Sequence, residues 1–294
     1  MEKTHRGTIF LETSQVVSND GYEGEQFILR ITAPKMAAAA QPGNFAHIRC
    51  SEELPMRRPM SVMRVDADAG WVEFLYKRVG AGTRRLAAVN AGTDLSVLGP
   101  IGVPFNASET RPRPLLIGGG VGIPPMVFLA DRLRRQANVH PMVLMGSEVP
   151  FPFRQRPSQI LMPGMPDGVI ACMPLLEDWG IPSRLASLAG FAGCFDGYVT
   201  DLAARWLDEL PPAQRSEVEI FACGPTPMLR ATQSLARRFR LASQLCLEEY
   251  MACAVGGCAG CVVRIRTEQG PAMKRVCVDG PVFDGASVVW NASG

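Results

Sequence analysis

The chain has 294 residues, 47% hydrophobic and 20% charged, enough apolar material for two domain cores and a small appendage. A formal net charge of +2 gives no footing for nucleic acid or an anionic membrane as partner, and patches such as "MVFLA" fall far short of the roughly 18 apolar residues that span a bilayer. The start, "MEKTHRGTIF", carries no export signal, so the cytoplasm is the expected compartment, where nine cysteines point to metal or redox chemistry rather than a disulfide framework.

Residues 1–105 read as all-β. "GTIFLETSQVV", "EQFILRITAP" and "NFAHIRC" are strand-like runs separated by Gly, Pro and Asn signals. "PMSVMRV" and "WVEFLYKRV" flank the turn "DADAG", a hairpin signature; a short helix near "GTRRLAAV" and a strand at "TDLSVLG" follow. Short strands at this spacing predict a small antiparallel barrel. A proline-rich linker at 106–114 leads into a different rhythm. "PLLIGGGVGIPPMVFLADRLRRQ" is an apolar strand, a glycine turn and a helix whose apolar stripe is Met126, Leu129, Ala130 and Leu133. The strand "HPMVLMGSE", the run "GVIACMPL", a helix near "DLAARWLDEL", the strand "EVEIFACG" and the helix "PTPMLRATQSLARRF" continue it. Alternating strands and helices predict a parallel α/β sheet. The last fifty residues lose that rhythm. The expected architecture is therefore an α+β multidomain chain: a barrel over 1–105, an α/β domain over 113–243 and a cysteine lobe over 244–294.

The lobe carries the most specific local signal. Within "EEYMACAVGGCAGCVV" and "KRVCVDGPVF" lie Cys253, Cys258, Cys261 and Cys277, spaced C-x4-C-x2-C with a distant fourth. Plant-type [2Fe–2S] clusters use that spacing. The Gly and Ala residues between let the backbone wrap closely and aim N–H groups at sulfur. Four thiolates also suit tetrahedral zinc, although zinc knuckles pair their ligands two and two, whereas three sit in one loop here.

"LLIGGGVGIPP" places Gly118, Gly119, Gly120, Val121 and Gly122 between a strand and a helix, with backbone N–H groups free for a pyrophosphate. It is not G-x-G-x-x-G, and alone it fits close strand–helix packing equally well. A second strand-end turn, Cys223, Gly224 and Pro225 in "FACGPTPML", suggests that both turns open on one crevice. Cys223 either lines that crevice or is a small buried hydrophobe. In the barrel, "RRPMSV" and "LYKRVGAGT" fit a second phosphate-bearing ligand, or else an exposed arginine and a helix cap at Thr83. His5, His47 and His140 are scattered, and the acids of "WLDEL" and "LEEY" read as solvated. No catalytic triad or carboxylate pair stands out, so no catalytic side chain is assigned and the chemistry is expected in cofactors.

In this order, R-P-x-S and G-x-G-T, then GGGxGxxP, CGPxPM, and C-x4-C-x2-C…C with DGPVF, the motifs resemble the ferredoxin-reductase superfamily. More narrowly they resemble electron-transfer subunits of class 1B dihydroorotate dehydrogenases. The resemblance implies FAD held by the barrel at Arg58, Pro59, Met60 and Ser61, by Leu75, Tyr76 and Lys77, and at the pyrophosphate by Gly82 and Thr83. It implies NAD in the crevice of Gly118–Gly122 and Cys223–Pro225, and a [2Fe–2S] cluster on Cys253, Cys258, Cys261 and Cys277. It also implies a partner, an FMN-containing dihydroorotate dehydrogenase catalytic subunit in a heterotetramer. A reductase module for a ferredoxin, sulfur reductase or hydrogenase, and a zinc-stabilised nucleotide-binding regulator, are the alternatives. Glu148, at the end of "HPMVLMGSE", suits the ribose hydroxyls and favours NADH, while Arg154 and Arg156 just downstream suit a 2′-phosphate. The run T-D-D-G-S-x-G, usual in such subunits before G-x-V-T-D, is replaced by "LLEDWGIPSRLASLAGFAGCFDGYVTD", which bears on nucleotide choice. Val278, Val282 and Phe283 are candidates for a partner-contact surface or for closing the lobe.

Overall fold

The computed structural model describes residues 7–290; His5 lies outside them. The N-terminal part holds β1 (Phe10–Tyr22), β2 (Gln26–Thr32), α1 (Pro34–Ala39), β3 (Phe45–Arg49), β4 (Arg58–Asp66), β5 (Trp71–Lys77), α2 (Ala81–Ala87) and β6 (Asp94–Ile101). The six strands close into an antiparallel barrel in the order β1-β2-β5-β4-β3-β6. Alternation dictates the closure: Leu29, Ile31, Ala46, Ile48, Met60, Val62, Phe74 and Tyr76 share one buried cluster inside, two residues apart along each strand.

The middle of the chain follows as β7 (Arg113–Gly119), α3 (Ile123–Leu133), β8 (Met142–Gly146), β9 (Arg156–Pro157), β10 (Ala171–Cys172), α4 (Pro174–Asp178), β11 (Ser183–Ser187) and β12 (Phe195–Asp196). Next come α5 (Val199–Glu209), α6 (Pro212–Ser216), β13 (Val218–Cys223), α7 (Thr226–Phe239) and β14 (Ala242–Cys246). The lobe adds the hairpin β15 (Val262–Thr267) and β16 (Gly270–Arg275), then β17 (Val282–Asp284). The main sheet runs β12-β11-β8-β7-β13-β14-β17, parallel except for the antiparallel edge strand β17. From β7 the chain builds outward through β8, β11 and β12. It then returns to lay β13 and β14 on the other side of β7, so the order reverses between β7 and β13. In open α/β sheets, ligands bind at such a switch point, beyond the carboxyl ends of the strands.

The α3 stripe foreseen from the sequence, Met126, Leu129, Ala130 and Leu133, is buried. The helix also fastens the two domains. Its Phe128 enters the barrel cluster, Met63 and Leu75 of the barrel join the core around α3, and Arg132 donates to the Ala40 carbonyl at 3.3 Å. "GVIACMPL" differs from a sheet strand: only Ala171 and Cys172 pair, with β9, and β11 takes the place in the main sheet. β14 runs across residues 243 and 244, and β17 returns from the lobe to pair with it. The lobe is thus held at both ends by the nucleotide-type sheet. No described helix is long and apolar enough to cross a membrane.

Candidate functional site

The hairpin assembles the four thiols. Val262 on β15 pairs with Arg275 on β16, and Val276 N–H donates to the Cys261 carbonyl at 2.8 Å, so Cys261 and Cys277 meet with sulfurs 3.3 Å apart, both buried. The loop before the hairpin folds back on itself through left-handed residues at Ala254 (φ 56°), Gly256 (φ 80°) and Ala259 (φ 52°). Two of these follow a cysteine directly. That curl brings Cys253 and Cys258 to 3.3 Å, with Cys258 exposed. Cys258 N–H donates to Cys253 Sγ and Gly260 N–H to Cys258 Sγ, each at 3.4 Å. Burial pushes the Cys253 thiol up, but N–H groups of Val255, Cys258 and Gly257 outweigh it and bring the pKa down to about 7, so a thiolate is favoured before any metal arrives. Arg275, which no motif singled out, ties the loop to the hairpin: its Nη1 donates to the Gly256 carbonyl at 3.0 Å and its Nε to Asp279 at 3.1 Å.

Among the described residues no three His, Cys, Asp or Glu side chains converge on one ion position. Two separate close pairs suit a two-iron cluster held by four thiolates; one tetrahedral zinc needs all four at a single centre. The residues therefore fit a [2Fe–2S] cluster, with Cys253 and Cys258 toward the surface and Cys261 and Cys277 toward the sheet. Val282 and Phe283 are buried, so they close the lobe and offer no contact surface, whereas Val278 is half-buried. Among the described residues of the lobe, the exposed large hydrophobic side chains are Tyr250 (95%), Met273 (60%) and Val255 (50%).

On the barrel, the two arginines of "RRPMSV" separate in role. Arg57 is structural, donating to the carbonyls of His47 and Ser96 and to Ser96 Oγ. Arg58 packs against Gly82, where an added Cβ would lie 2.8 Å from its Nε. The R-P-x-S strand and the G-x-G-T turn are thus in contact. Thr83 Oγ1 accepts from the N–H groups of Val79 and Gly80 at 3.0 and 3.1 Å, capping α2. Pro59, Ser61 and Lys77 are part-exposed. The side chains of Met60 and Tyr76 turn into the barrel core, with Tyr76 Oη donating to Asn19 at 3.0 Å, and Leu75 packs toward α3; these three have only their backbone to offer a ligand. The contact of Arg58, Gly82 and the α2 turn makes a cradle fit for a flavin pyrophosphate.

The two glycine turns of the sheet meet backbone to backbone. Gly118 on β7 pairs with Cys223 on β13. A Cβ on Gly122 would lie 2.3 Å from the Cys223 carbonyl oxygen, and one on Gly224 would lie 2.5 Å from Met228 and 3.2 Å from Gly119 N. Gly119 similarly leaves room for Met228 and Pro225. Gly120 takes φ 54°, with no atom near its missing Cβ, and Val121 is exposed at the turn. The glycines permit close packing, and the pairing of β7 with β13 sets the two turns side by side at the switch point. Glu148 is exposed beyond β8. The loop carrying it is clasped by the barrel, where Gln26 Nε2 donates to the Pro150 carbonyl at 2.6 Å. Cys223 is buried, and its thiol is pushed up by contact with Cys246 and by burial. His47 is buried in the barrel and His140 exposed.

The comparisons with known proteins come to the same place. Residues 248–289 match the profile of the iron-sulfur cluster binding domain of dihydroorotate dehydrogenase B. Over 294 residues, 98% of this chain and 99% of its relative, the sequence is 33% identical to a dihydroorotate dehydrogenase B (NAD(+)) electron transfer subunit of Shouchella clausii. The chain belongs to that family. The Bacillus caldolyticus member is 34% identical over 85% of this chain and 87% of its own. Among solved structures, an NADH-dependent reduced ferredoxin-NADP oxidoreductase studied for flavin-based electron bifurcation superposes with TM-score 0.76, at 26% identity, covering 95% of this chain and 90% of that one. Phthalate dioxygenase reductase, at 13% identity and TM-score 0.56 over 90% of this chain and 76% of that one, shares the fold.

Where the chain departs from the pattern of dihydroorotate dehydrogenase B electron transfer subunits, it builds α4 and β11. Arg156 is ion-paired with Asp178 there, beside a cavity of about 420 Å³ lined by Arg156, Gln159, Glu177 and Asp178 among others. Gly180, on its wall, precedes the N-terminal end of β11, so the cavity opens away from the glycine turns. Beyond the C-terminal end of β11 the altered segment continues to Phe191, which packs edge-on against Phe151 at 6.4 Å in the loop that follows Glu148, so its second half lies on the nucleotide side of the sheet.

Proposed function

We propose that this chain carries electrons between a dihydroorotate-oxidising catalytic subunit and NAD, in the cytoplasm, as the electron-transfer half of an NAD-linked enzyme of pyrimidine biosynthesis. The barrel at Arg58, Pro59, Ser61, Lys77, Gly82 and Thr83, with the backbone of Met60, Leu75 and Tyr76, would hold FAD. The turns at Gly118–Gly122 and Cys223–Pro225, with Glu148, would hold the nicotinamide nucleotide, and Cys253, Cys258, Cys261 and Cys277 the [2Fe–2S] cluster. Within 1–105, 113–243 and 244–294, each part then has one cofactor. A flavin exchanges electrons in pairs with a nicotinamide and singly with a cluster, so it belongs between them. The observation that carries the reading is the lobe's mounting: four thiols in two pairs, fixed through β14 and β17 to the sheet that bears the glycine turns.

The partner is proposed to be an FMN-containing catalytic subunit, assembled with this chain in a heterotetramer, with the exposed Tyr250, Val255 and Met273 of the lobe as the contact. Dihydroorotate-dependent NAD reduction by the mixed proteins is the test. It should need both chains and vanish in Cys258→Ser. Separate elution of the two proteins on size exclusion, with no such activity from a cluster-loaded chain, would reject this partner. The likeness to the ferredoxin-linked oxidoreductase favours, as second reading, the same module serving a ferredoxin-type partner.

A further inference from the structure

With four thiolates as ligands, a cluster's reduction potential is left to whatever touches its sulfurs. We propose that Arg275 is a positioning residue for the four-thiol site, which raises the potential of the cluster and ties the outer thiol pair to the inner one by gripping the Gly256–Gly257 peptide, an inference that rests on the [2Fe–2S] reading above.

Arg275 is fixed before it meets the thiol loop. On β16 it pairs with Val262, the residue after Cys261, and it stands two residues before Cys277. Asp279 closes the turn that carries Cys277. Its Oδ2 accepts from the Arg275 N–H at 2.8 Å and from Arg275 Nε at 3.1 Å, while the Asp279 N–H donates to the Arg275 carbonyl at 2.8 Å. The guanidinium is thereby aimed across the site, and its Nη1 donates to the Gly256 carbonyl at 3.0 Å. Gly256 lies between Cys253 and Cys258. A Cβ there would stand 3.0 Å from Val278 and 3.3 Å from Arg275 Nη1, so the loop rests directly on the Cys277 turn.

The grip falls on one peptide with two thiols around it. A trans peptide points its carbonyl and its N–H in opposite directions. The peptide whose carbonyl meets Arg275 carries the Gly257 N–H on its other side, and that N–H is directed at Cys253. The N–H of Gly256 itself is directed at Cys277. Gly256 thus serves one thiol of each pair, and Arg275 holds it between them. A peptide whose carbonyl accepts from a cation is a stronger donor at its N–H. The charge also acts directly: Asp279 first, and then the Cys277 and Cys261 sulfurs, hold the guanidinium firmly protonated. Donors and positive charge beside the sulfurs favour the site more once it has gained an electron, so both raise the potential. Asp279 offsets part of the charge, and the Arg275 side chain is 41% exposed, so water screens the remainder and the effect is modest.

The test uses the full chain loaded with FAD and cluster, in redox titrations that follow the reduced cluster by electron paramagnetic resonance. Arg275→Gln should keep about two irons per chain. At one fixed ambient potential its ratio of reduced to oxidised cluster should fall about two- to fivefold, the size of one partly exposed charge contact. Arg275→Lys keeps the charge and should recover most of that shift. Arg266→Gln removes an equal charge from the exposed far end of the hairpin and should move the ratio by less than about 1.5-fold, because water and salt screen it. A second measurement needs no cluster. In the cluster-free chain, Arg275→Gln should speed hydrogen exchange of the amides at 254–260 by at least about twofold and leave β13 and β14 unchanged. A wild-type ratio in Arg275→Gln, equal shifts in Arg275→Gln and Arg266→Gln, or unchanged exchange in the loop would each overturn the proposal and leave the cluster reading intact. Zinc in place of iron in the wild-type chain would overturn both.

Discussion

Gly122→Ala tests whether the two glycine turns form one nucleotide crevice. The new methyl would sit 2.3 Å from the Cys223 carbonyl oxygen, 2.4 Å from its carbon and 2.5 Å from Gly224 N. An ordinary contact is about 3.4 Å or more, so roughly 1 Å must be found between two backbone segments that the pairing of β7 and β13 holds in register. Overpacking of this kind costs about 1–3 kcal/mol, and a misplacement of about 1 Å at a reacting site costs up to about 100-fold. The expected result is a fall of roughly 10- to 100-fold in the efficiency of flavin reduction by NADH, with the barrel-bound flavin and the iron content retained. Gly92→Ala supplies the control. Gly92 has φ 86° and no neighbour near its missing Cβ, so alanine there costs about 1 kcal/mol of left-handed strain and leaves the kinetics alone. Stopped-flow reduction, with thermal melts of both variants, separates the cases. NADH efficiency within about twofold of wild type in Gly122→Ala would refute the single-crevice geometry.

Cys258→Ser should reduce iron from about two per chain to well under one, measured on anaerobically prepared protein, while Cys50→Ser, buried in the barrel, should keep it; zinc in place of iron would reject the cluster. Glu148→Gln should narrow the preference for NADH over NADPH by about tenfold, the size of one lost like-charge contact, read from steady-state dye reduction. Arg156→Ala should change it little because Arg156 is engaged by Asp178. His47 is buried, neither ring nitrogen has a hydrogen-bond partner among the described residues, and burial, followed by the charge of Arg57, lowers its pKa to about 4. The unfolded imidazole titrates near 6.5, so the folded chain binds fewer protons and loses stability as pH falls from about 6.5 to about 4, by up to about 3 kcal/mol. His47→Leu should remove that portion of the acid sensitivity; equal loss of melting temperature between pH 7 and pH 4.5 in both proteins would contradict it.

The barrel and the first βα unit were legible because their signals are local. Alternation on β2 and β5, the turn between β4 and β5, and the stripe on α3 each declare a buried face within a few residues. β11 hid because its buried run is Ser-Arg-Leu-Ala-Ser. Ser183 accepts from Met173 N–H, and Arg184 is buried while donating to the carbonyls of Ser183 and Ile160, so local polarity conceals a core strand. β14 and β17 escaped for a different reason. Each is short, and β17 becomes a strand only because β14 offers it an edge. The cysteines were readable as a ligand set because their chemistry lies in spacing. That they stand as two pairs was not, since the pairing depends on the register of β15 with β16 and on left-handed alanines that composition does not announce.

The way the lobe is attached bears on what it does. A domain strung on a flexible linker would let its cluster swing, and the distance to the flavin would vary with each excursion. Here the chain leaves the sheet at Cys246 and rejoins the same edge at Val282, so both ends of the lobe are hydrogen-bonded to a strand that itself flanks β13. Ala254, Cys261 and Cys277 belong to the large apolar cluster that also takes in the sheet and, from the barrel, Phe45 and Ile101, so the inner thiol pair is built into the core. The outer pair, Cys253 and Cys258, stays toward solvent. One side of the four-thiol site is therefore fixed in the core of the chain and the other is open to solvent. A relay that takes electrons from one side and hands them to the other requires that polarity, and in this chain it follows from the β14–β17 pairing.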